Sequence, residues 1–301
     1  MKTLLRFFLK VVYRIRYFWR VSSSAFAKAF MKAPDIRSTE ETIDKLLNSD
    51  VSISRFGDGE LMLSLKNSLG IRYQKADPAL MKRLREVLVS DSKNCIICVS
   101  DAFGDMAERS EENKKYWQRH IGEHRFLYYP LLNRKDKVYY NTTATRVYSP
   151  LKDKSLAAPR FEKWKKLWEG KDIVFIEGQK TRMGVGNDFF SNARSIRRIL
   201  GPAENAFDRY DEILQFASTF PKDTLFILAL GPAATIMSYD LSQLGYRALD
   251  LGHIDVEYEW FLKGSSNVLL KNKYVNEVVG GNKVDDCHDE SYLASIIKSF
   301  S

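Results

Sequence analysis

Two continuous apolar runs constrain the fold of this chain more than any other feature of its sequence. Residues 173–176 and 225–230 contain no polar side chain. Such runs are typical of strands that are buried on both faces, as in a parallel sheet covered by helices. With 301 residues and 45% hydrophobic content, the chain can bury a large core, so we expect one main globular domain.

Strand-like and helix-like patterns alternate along the rest of the chain. Short apolar or alternating runs indicate strands at residues 51–54, 96–100, 126–129, 172–177, 224–230 and 246–251. Helical spacing of apolar residues indicates helices at residues 78–89, 187–200 and 233–244. This alternation predicts an α/β fold, with a Rossmann-like, mostly parallel sheet flanked by helices. Residues 267–301 show no chemical motif.

Residues 1–34 differ in charge from the remainder of the chain. They hold eight of the 47 Lys and Arg residues and no acidic residue, so the remainder is almost neutral despite the net charge of +9. A near-neutral body attracts a phosphate polymer only weakly, which argues against nucleic-acid binding. We therefore divide the chain into a basic arm with its linker, 1–34, and a globular domain, 35–301.

The first 20 residues predict an amphipathic helix. At about 100° per residue, the cations fall on one side, and the opposite side is apolar and includes Phe18 and Trp19. This pattern favours a helix lying on the inner membrane surface, since the recurring cations exclude a spanning helix or a secretory signal. The alternative is a helix that packs on the body or on a second subunit. Three cysteines without a disulfide framework favour the cytoplasm, so we expect a peripheral protein on the cytoplasmic face of the membrane.

Ligands of open α/β sheets bind beyond the carboxyl ends of the strands, where four loops of this chain are expected. The first loop contains Arg55, which can hold a phosphate, and Gly57, which permits a tight turn. Its acids Asp58 and Glu60 can bind a metal or act as a base. A solvated turn with a structural Arg–carboxylate pair is the alternative.

The second and third loops offer backbone groups to an anion. The second combines a cation, two glycines and two helix-capping residues, namely Arg182, Gly184, Gly186, Asn187 and Asp188. The third starts a helix after an apolar strand and contains Gly231, Pro232 and Thr235. A glycine loop with a helix cap, and an ordinary strand–helix junction, are the alternatives without a ligand.

The fourth loop, residues 253–260, places three carboxylates at alternating positions. In an extended segment Asp255, Glu257 and Glu259 share one face, where they repel each other unless a positive charge lies among them. Mg²⁺ or Mn²⁺ would supply that charge and hold a diphosphate. In a helix Asp255 and Glu257 would diverge, so this prediction depends on an extended backbone. The alternatives are an exposed polar strand face and a structural role for His253.

Four blocks of this sequence resemble the signature blocks of the GT-D glycosyltransferases, a bacterial family first catalogued as a domain of unknown function. The blocks are SRFGDGE (54–60), GVGND (184–188), LGPAAT (230–235) and DLGHIDVEYEW (250–260). The likeness extends over about residues 36–262. It implies a Rossmann-like GT-D fold, a UDP-sugar donor and a metal held by an Asp-x-Glu motif. The chain has two such triplets, at 58–60 and 255–257, and we assign the metal to the second.

The resemblance also implies roles for the loop residues. Asp255 and Glu257 would ligate Mg²⁺ or Mn²⁺, which would neutralise charge on the departing UDP. The candidates for holding the diphosphate are Arg55, Arg182, Gly231 and Thr235. The catalytic candidates are Asp58, Glu259 and His253, of which Asp58 or Glu259 would be the base.

The implied reaction transfers a hexose, with glucose expected, from a UDP-sugar to a growing glycan on a protein or lipid carrier. Exopolysaccharide, capsule and glycoprotein biosynthesis use such reactions, and a membrane-surface arm would place the enzyme beside a lipid-linked acceptor. Three other functions stay open: a metal-dependent phosphohydrolase of nucleotide sugars, a nucleotide-dependent oxidoreductase, and a non-catalytic scaffold for polysaccharide assembly.

Overall fold

The computed structural model describes residues 11–12, 15, 18–19, 30–65 and 68–300. Most of the predicted amphipathic helix of residues 1–20 lies outside the described residues, so that helix stays a prediction. Within the described part of the chain, no helix has both the length and the apolar character needed to cross a membrane.

Nine parallel strands form the main sheet of the described chain. With the two strands of a separate hairpin, the described strands are, in chain order, β1 (Asp35–Ile36), β2 (Ser52–Arg55), β3 (Gly70–Ile71), β4 (Gln74–Lys75), β5 (Cys95–Val99), β6 (Val138–Asn141), β7 (Asp172–Gly178), β8 (Ser195–Gly201), β9 (Leu225–Ala229), β10 (Arg247–Asp250) and β11 (Ile296–Ser299). The sheet order is β1-β6-β5-β2-β10-β9-β7-β8-β11, while β3 and β4 form a separate antiparallel hairpin. The predicted mostly parallel sheet is confirmed.

Helices cover both faces of this sheet. They are α1 (Thr39–Leu47), α2 (Asp58–Leu63), α3 (Pro78–Val89), α4 (Glu111–Leu132), α5 (Ala157–Lys165), α6 (Tyr210–Ala217), α7 (Pro232–Gln243), α8 (Ile254–Leu262) and α9 (Glu290–Ser295). In β7, Val174 and Ile176 pack with α3, α4, α6 and α7, whereas Ile173 and Phe175 pack with α1, α5 and α8. Because both faces of β7 are buried, its sequence is a continuous apolar run.

Two predicted elements are wrong. Residues 126–129, predicted as a strand, lie inside α4, where Trp117, Ile121 and Tyr128 are buried at helical spacing and Phe126 is exposed. Residues 187–200, predicted as a helix, form turns and then β8. The two phenylalanines at 189 and 190 mimic a helical apolar face, but they pack against Trp168 within a tight loop.

The strand order places two switch points near the middle of the sheet. The chain leaves β2 for β5 on one side, whereas it leaves β10 for β11 at the opposite edge. The connections that leave β9 and β7 diverge in the same way. Since ligands of open α/β sheets bind at such points, the region above β2, β10, β9 and β7 is the most favourable place for a site.

Candidate active site

A cleft of about 690 Å³ opens at these switch points. Its walls come from the loops that follow β2, β5, β6, β7, β8, β9 and β10, together with the start of α4 and the hairpin of β3 and β4. A volume of this size is in the range of small-molecule and cofactor sites.

The structure brings half of the predicted site residues to this cleft. Those that line it are Arg55, Gly57, Asp58, Glu60, Gly231, Pro232, Thr235 and His253. Those that do not are Arg182, Gly184, Gly186, Asn187, Asp188, Asp255, Glu257 and Glu259. The first and third loops therefore meet as expected, whereas the second loop borders a separate depression beside β8.

The predicted extended backbone of residues 253–260 is wrong. Residues 254–262 form α8, and every side chain from 254 to 260 is buried. In a helix, Asp255 and Glu259 lie one turn apart on one face, while Glu257 points elsewhere. The condition on which the Asp255–Glu257 metal site depended is therefore absent.

The carboxylates of α8 are neutralised by side chains of this chain. Lys273, fully buried, binds Asp255 and lies 3.2 Å from Oε1 of Glu259. The Nδ2 atom of Asn187 donates to the same two carboxylates, at 2.8 and 2.9 Å. Asp255 and Glu259 thus share the ammonium group of Lys273, which balances part of their negative charge.

Glu257 is saturated by hydrogen bonds. It accepts from the backbone N–H groups of Tyr148 and Ser149, from the Ser149 hydroxyl at 2.6 Å, and from Arg146 at 3.2 Å. Its two oxygens therefore have no free position directed at a cation. Asp255 and Glu257 do not fit a Mg²⁺ or Mn²⁺ site, and no step is derived through a metal there.

Arg55 joins β2 to β10 at the floor of the cleft. Its Nη2 donates to Asp250 at 2.9 Å, its Nε to the Asp250 carbonyl at 2.6 Å, and its Nη1 to Thr145 at 2.8 Å. Burial raises the pKa of the Asp250 carboxyl, and Arg55 opposes that rise. Gly252 packs against the guanidinium, where a Cβ would overlap it. The structural Arg–carboxylate pair is thus present, with Asp250 as the partner.

Asp58 and Glu60 begin α2 at the mouth of the cleft. The Tyr116 hydroxyl donates to Asp58, while Glu60 accepts from the Gly57 N–H at 3.0 Å. Burial raises the pKa of the Glu60 carboxyl to about 7, and the negative charges of Asp250 and Asp58 add to the effect. The cleft therefore holds a carboxyl group that changes charge near neutral pH.

Arg146, Glu277 and His253 contact one another on the same wall of the cleft. Arg146 binds Glu277, whose other partner is the Nδ1 of His253 at 3.2 Å. Although burial alone would raise it, the pKa of Glu277 is held well below its ordinary value by Arg146 and His253. No local sequence pattern indicates this contact, because Arg146 and Glu277 are 131 positions apart. Residues 267–301, in which the sequence shows no chemical motif, thus contribute Lys273 beside α8 and Glu277 in the cleft.

The hairpin of β3 and β4 covers one end of the cleft. Its Tyr73 ring lies against Gly231, where a Cβ would come within 3.0 Å of a ring carbon. Gly231 also has φ of +55°, so glycine is favoured there twice over. Asn205 holds the hairpin through its own N–H, which donates to the Tyr73 carbonyl, and through its side-chain oxygen, which accepts from Lys75. Sequence reasoning missed this contact because the residues are far apart in the chain.

Comparison with known proteins identifies relatives of this architecture. A family model described as "Glycosyltransferase GT-D fold" matches residues 53–278. The "Probable glycosyl transferase Gly" of Streptococcus gordonii is 38% identical over 268 residues, which cover 88% of this chain and 39% of that protein. "Glycosyltransferase GlyD" of Streptococcus pneumoniae serotype 4 is 35% identical over 264 residues, which cover 87% of this chain and 32% of that protein. The chain thus spans well under half the length of both relatives.

Solved structures show the same fold. "The highly conserved domain of unknown function 1792 has a distinct glycosyltransferase fold" describes a chain that is 35% identical, with a TM-score of 0.83. The match covers 89% of this chain and 96% of that one. "A New Glycosyltransferase (DUF1792) from Streptococcus sanguinis" is 36% identical with a TM-score of 0.84, and the match covers 89% of this chain and all of that one.

Proposed function

The chain belongs to the GT-D glycosyltransferase family, and on that premise we propose that it transfers a hexose from a UDP-sugar to a glycan hydroxyl group. One observation carries the proposal: Asp58 lies in the cleft beside the start of α7, which contributes the positive end of a helix dipole. Thr235 donates to the Arg55 carbonyl at 2.9 Å and so fixes the start of α7 next to the loop of Asp58. An acid and an anion-binding helix end thus share one cleft.

The donor is placed at the end of the cleft above β9, β7 and β8. The diphosphate would lie at Gly231 and the first turn of α7, where the backbone is open to an anion. Beyond it, the lining is mostly uncharged and includes Gly178, Thr181 and Pro202. A flat, neutral nucleoside base fits this lining better than a charged group does.

Asp58 is proposed as the general base of an inverting transfer. Its carboxylate would take the proton of the acceptor hydroxyl while that oxygen attacks the anomeric carbon. The bond from the anomeric carbon to the diphosphate breaks, and the electron pair leaves with UDP. Tyr116 orients the carboxylate through its hydroxyl group. Glu259, the other predicted base, is buried against Lys273 and does not line the cleft.

A divalent cation, if the reaction uses one, would bind at Asp58 and Glu60 rather than at Asp255 and Glu257. Across the described residues no group of three or more His, Cys, Asp or Glu side chains could hold a metal by itself. Mg²⁺ commonly binds through one or two carboxylates and completes its shell with substrate phosphates and water, which is compatible with this pair. When bound, such an ion would neutralise charge on the departing diphosphate.

The test of the donor is a panel of UDP-sugars, led by UDP-glucose, with and without Mn²⁺. UDP release and protection from thermal unfolding are measured, with ADP-glucose and GDP-mannose as controls. We expect a response to one UDP-sugar, and transfer to a glycan; release of UMP and sugar 1-phosphate with every glycan tested would favour a phosphohydrolase. No response to any nucleotide sugar would contradict the proposal and leave the scaffold function.

The cation is tested in the Asp58→Asn variant by titrating UDP with and without Mn²⁺. If Asp58 acts only as a base, Mn²⁺ strengthens UDP binding equally in the variant and in the wild type. Loss of the Mn²⁺ effect in the variant would instead assign Asp58 to the cation.

The basic arm is proposed to hold the enzyme at the cytoplasmic face of the membrane. Its cations and its apolar side suit an interfacial helix. Deletion of residues 1–30 should move the protein from the membrane fraction to the supernatant, measured by immunoblotting of fractionated cells. An unchanged membrane fraction would overturn this part of the proposal.

A further inference from the structure

Tyr116 presents an aromatic ring to the cleft from the first turns of α4. It lines the cleft and is 38% exposed, whereas its neighbour Trp117 is 8% exposed and belongs to the core. The Tyr116 hydroxyl donates to Asp58. A half-exposed ring therefore borders the carboxylate at which the acceptor must arrive.

The ring is held in a fixed position. Trp117 meets it edge to face at 5.8 Å, and His120 lies nearly parallel to it, with 9° between the planes and 6.1 Å between the centroids. Trp117 is supported in turn by the guanidinium of Arg109, 5.4 Å from its ring centroid. Arg109 is buried and donates to Ser100 and Thr143 at the ends of β5 and β6. This support makes the ring a rigid surface rather than a mobile side chain.

The surroundings of this ring suit a sugar. Ser110, Glu112, Asn113 and Ser149 line the same wall of the cleft and carry hydroxyl, carboxylate and amide groups. A pyranose has an apolar C–H face, which packs on the electron-rich face of an aromatic ring. Its equatorial hydroxyl groups bind to side chains of these types. The combination of one exposed ring with polar groups around it is therefore that of a carbohydrate subsite.

The position of the ring separates it from the donor. Gly231 and the uncharged lining lie above β9, β7 and β8, whereas α4 closes the cleft above β5 and β6. Asp58, which follows β2, lies between the two ends. A sugar on Tyr116 would thus approach Asp58 from the side opposite to the diphosphate.

We propose that Tyr116 is the platform of an acceptor subsite, which binds the terminal pyranose of the glycan and directs one of its hydroxyl groups to Asp58. This inference rests on the proposed function, because it takes Asp58 as the base. Tyr116 is then a binding residue that also positions the base.

The test compares Tyr116→Ala and Tyr116→Phe with Phe126→Ala, which removes an exposed ring from the same helix outside the cleft. The probes are the p-nitrophenyl glycosides of glucose, galactose and N-acetylglucosamine. Saturation-transfer NMR detects their binding without any donor, and initial rates give the KM for the best acceptor. Thermal unfolding confirms that each variant is folded.

Tyr116→Ala should weaken saturation transfer to the pyranose protons at a fixed glycoside concentration and raise the acceptor KM about tenfold, as expected for one lost ring contact. The dissociation constant for UDP should stay within about twofold, since the donor lies at the other end. Tyr116→Phe should keep the saturation transfer and the acceptor KM but lower kcat, because the ring remains and Asp58 loses its hydrogen bond. Phe126→Ala should match the wild type.

Three results would overturn the subsite: no saturation transfer to any glycoside in the wild type, an unchanged acceptor KM in Tyr116→Ala, or an equal loss of UDP affinity in that variant. Failure of the proposed function looks different. In that case the wild type turns over no UDP-sugar, while Tyr116-dependent saturation transfer to a glycoside persists.

Discussion

The two Asp-x-Glu triplets of this chain both lie in the first turn of a helix, but their carboxylates meet different partners. At 58–60 the acids border the cleft, and Asp58 accepts from the hydroxyl of Tyr116. At 255–257 they are buried, with Lys273 on Asp255 and Arg146 on Glu257. The same pattern thus borders an open cleft in one place and is buried and charge-balanced in the other, because the neighbouring cations differ.

The largest effect should come from removing the cation of the buried triplet. Lys273→Met leaves Asp255 and Glu259 buried without their ammonium partner, so the free energy of unfolding should fall by about 3–5 kcal/mol. Urea denaturation measures the loss. Lys263→Met is the matched control: Lys263 is half exposed and 3.9 Å from Glu259, so its loss should change stability by less than about 0.5 kcal/mol. Equal losses in both variants would contradict the buried-pair account.

The next effect separates chemistry from stability at the other triplet. Asp58→Asn keeps the shape of the side chain and removes the base, so kcat should fall by about 100-fold or more. Its free energy of unfolding should change by less than about 1 kcal/mol, because no buried charge is left without a partner. Initial rates and urea denaturation together test this split. A large loss of stability with little loss of kcat would reverse the roles assigned to the two triplets.

The smallest effect concerns pH. The folded-state pKa of Glu60, about 7, lies above the unfolded value of 4.5, so the folded protein holds this proton more tightly. Stability from the protonated carboxyl is complete below the unfolded pKa and is lost as pH rises through the folded pKa. Glu60→Gln removes this loss. The free energy of unfolding of the variant, relative to that of the wild type, should therefore rise by about 2 kcal/mol from pH ~5 to pH ~8.

Urea denaturation at both pH values measures that gain. Glu169→Gln is the control, because Glu169 is exposed and lies in the turns before β7. This variant should show no such difference. A constant difference between Glu60→Gln and the wild type at both pH values would contradict the effect of burial on Glu60.

The sheet could be predicted from the sequence because burial on both faces leaves a local record. The run at 173–176 lies inside β7, and the run at 225–230 forms all of β9 and the residue after it, as continuous apolar strands should. The position of the first loop and of the helix start at Gly231 in the cleft could be predicted as well. They directly follow strands that the sequence pattern predicts.

The fourth loop could not be predicted because its decisive partners are distant. Three acids at alternating positions look like one face of a strand. Their environment is set by Lys273, 18 positions beyond Asp255, and by Arg146, 111 positions before Glu257. With those charges in place the segment can be buried as a helix, and the metal that the pattern called for is not needed to balance it.

Residues 268–277 connect helix α8 to the wall of the cleft. The Val268 carbonyl accepts from the indole of Trp260, and the Lys273 ammonium binds Asp255 of α8. Glu277 binds Arg146 in the wall of the cleft. Opening this segment would therefore expose a buried ammonium and dismantle the cleft in a single step. The site and the core should therefore unfold as one cooperative unit. The hydrogen-bonded amides of residues 268–277 should then exchange with solvent as slowly as the amides of the sheet.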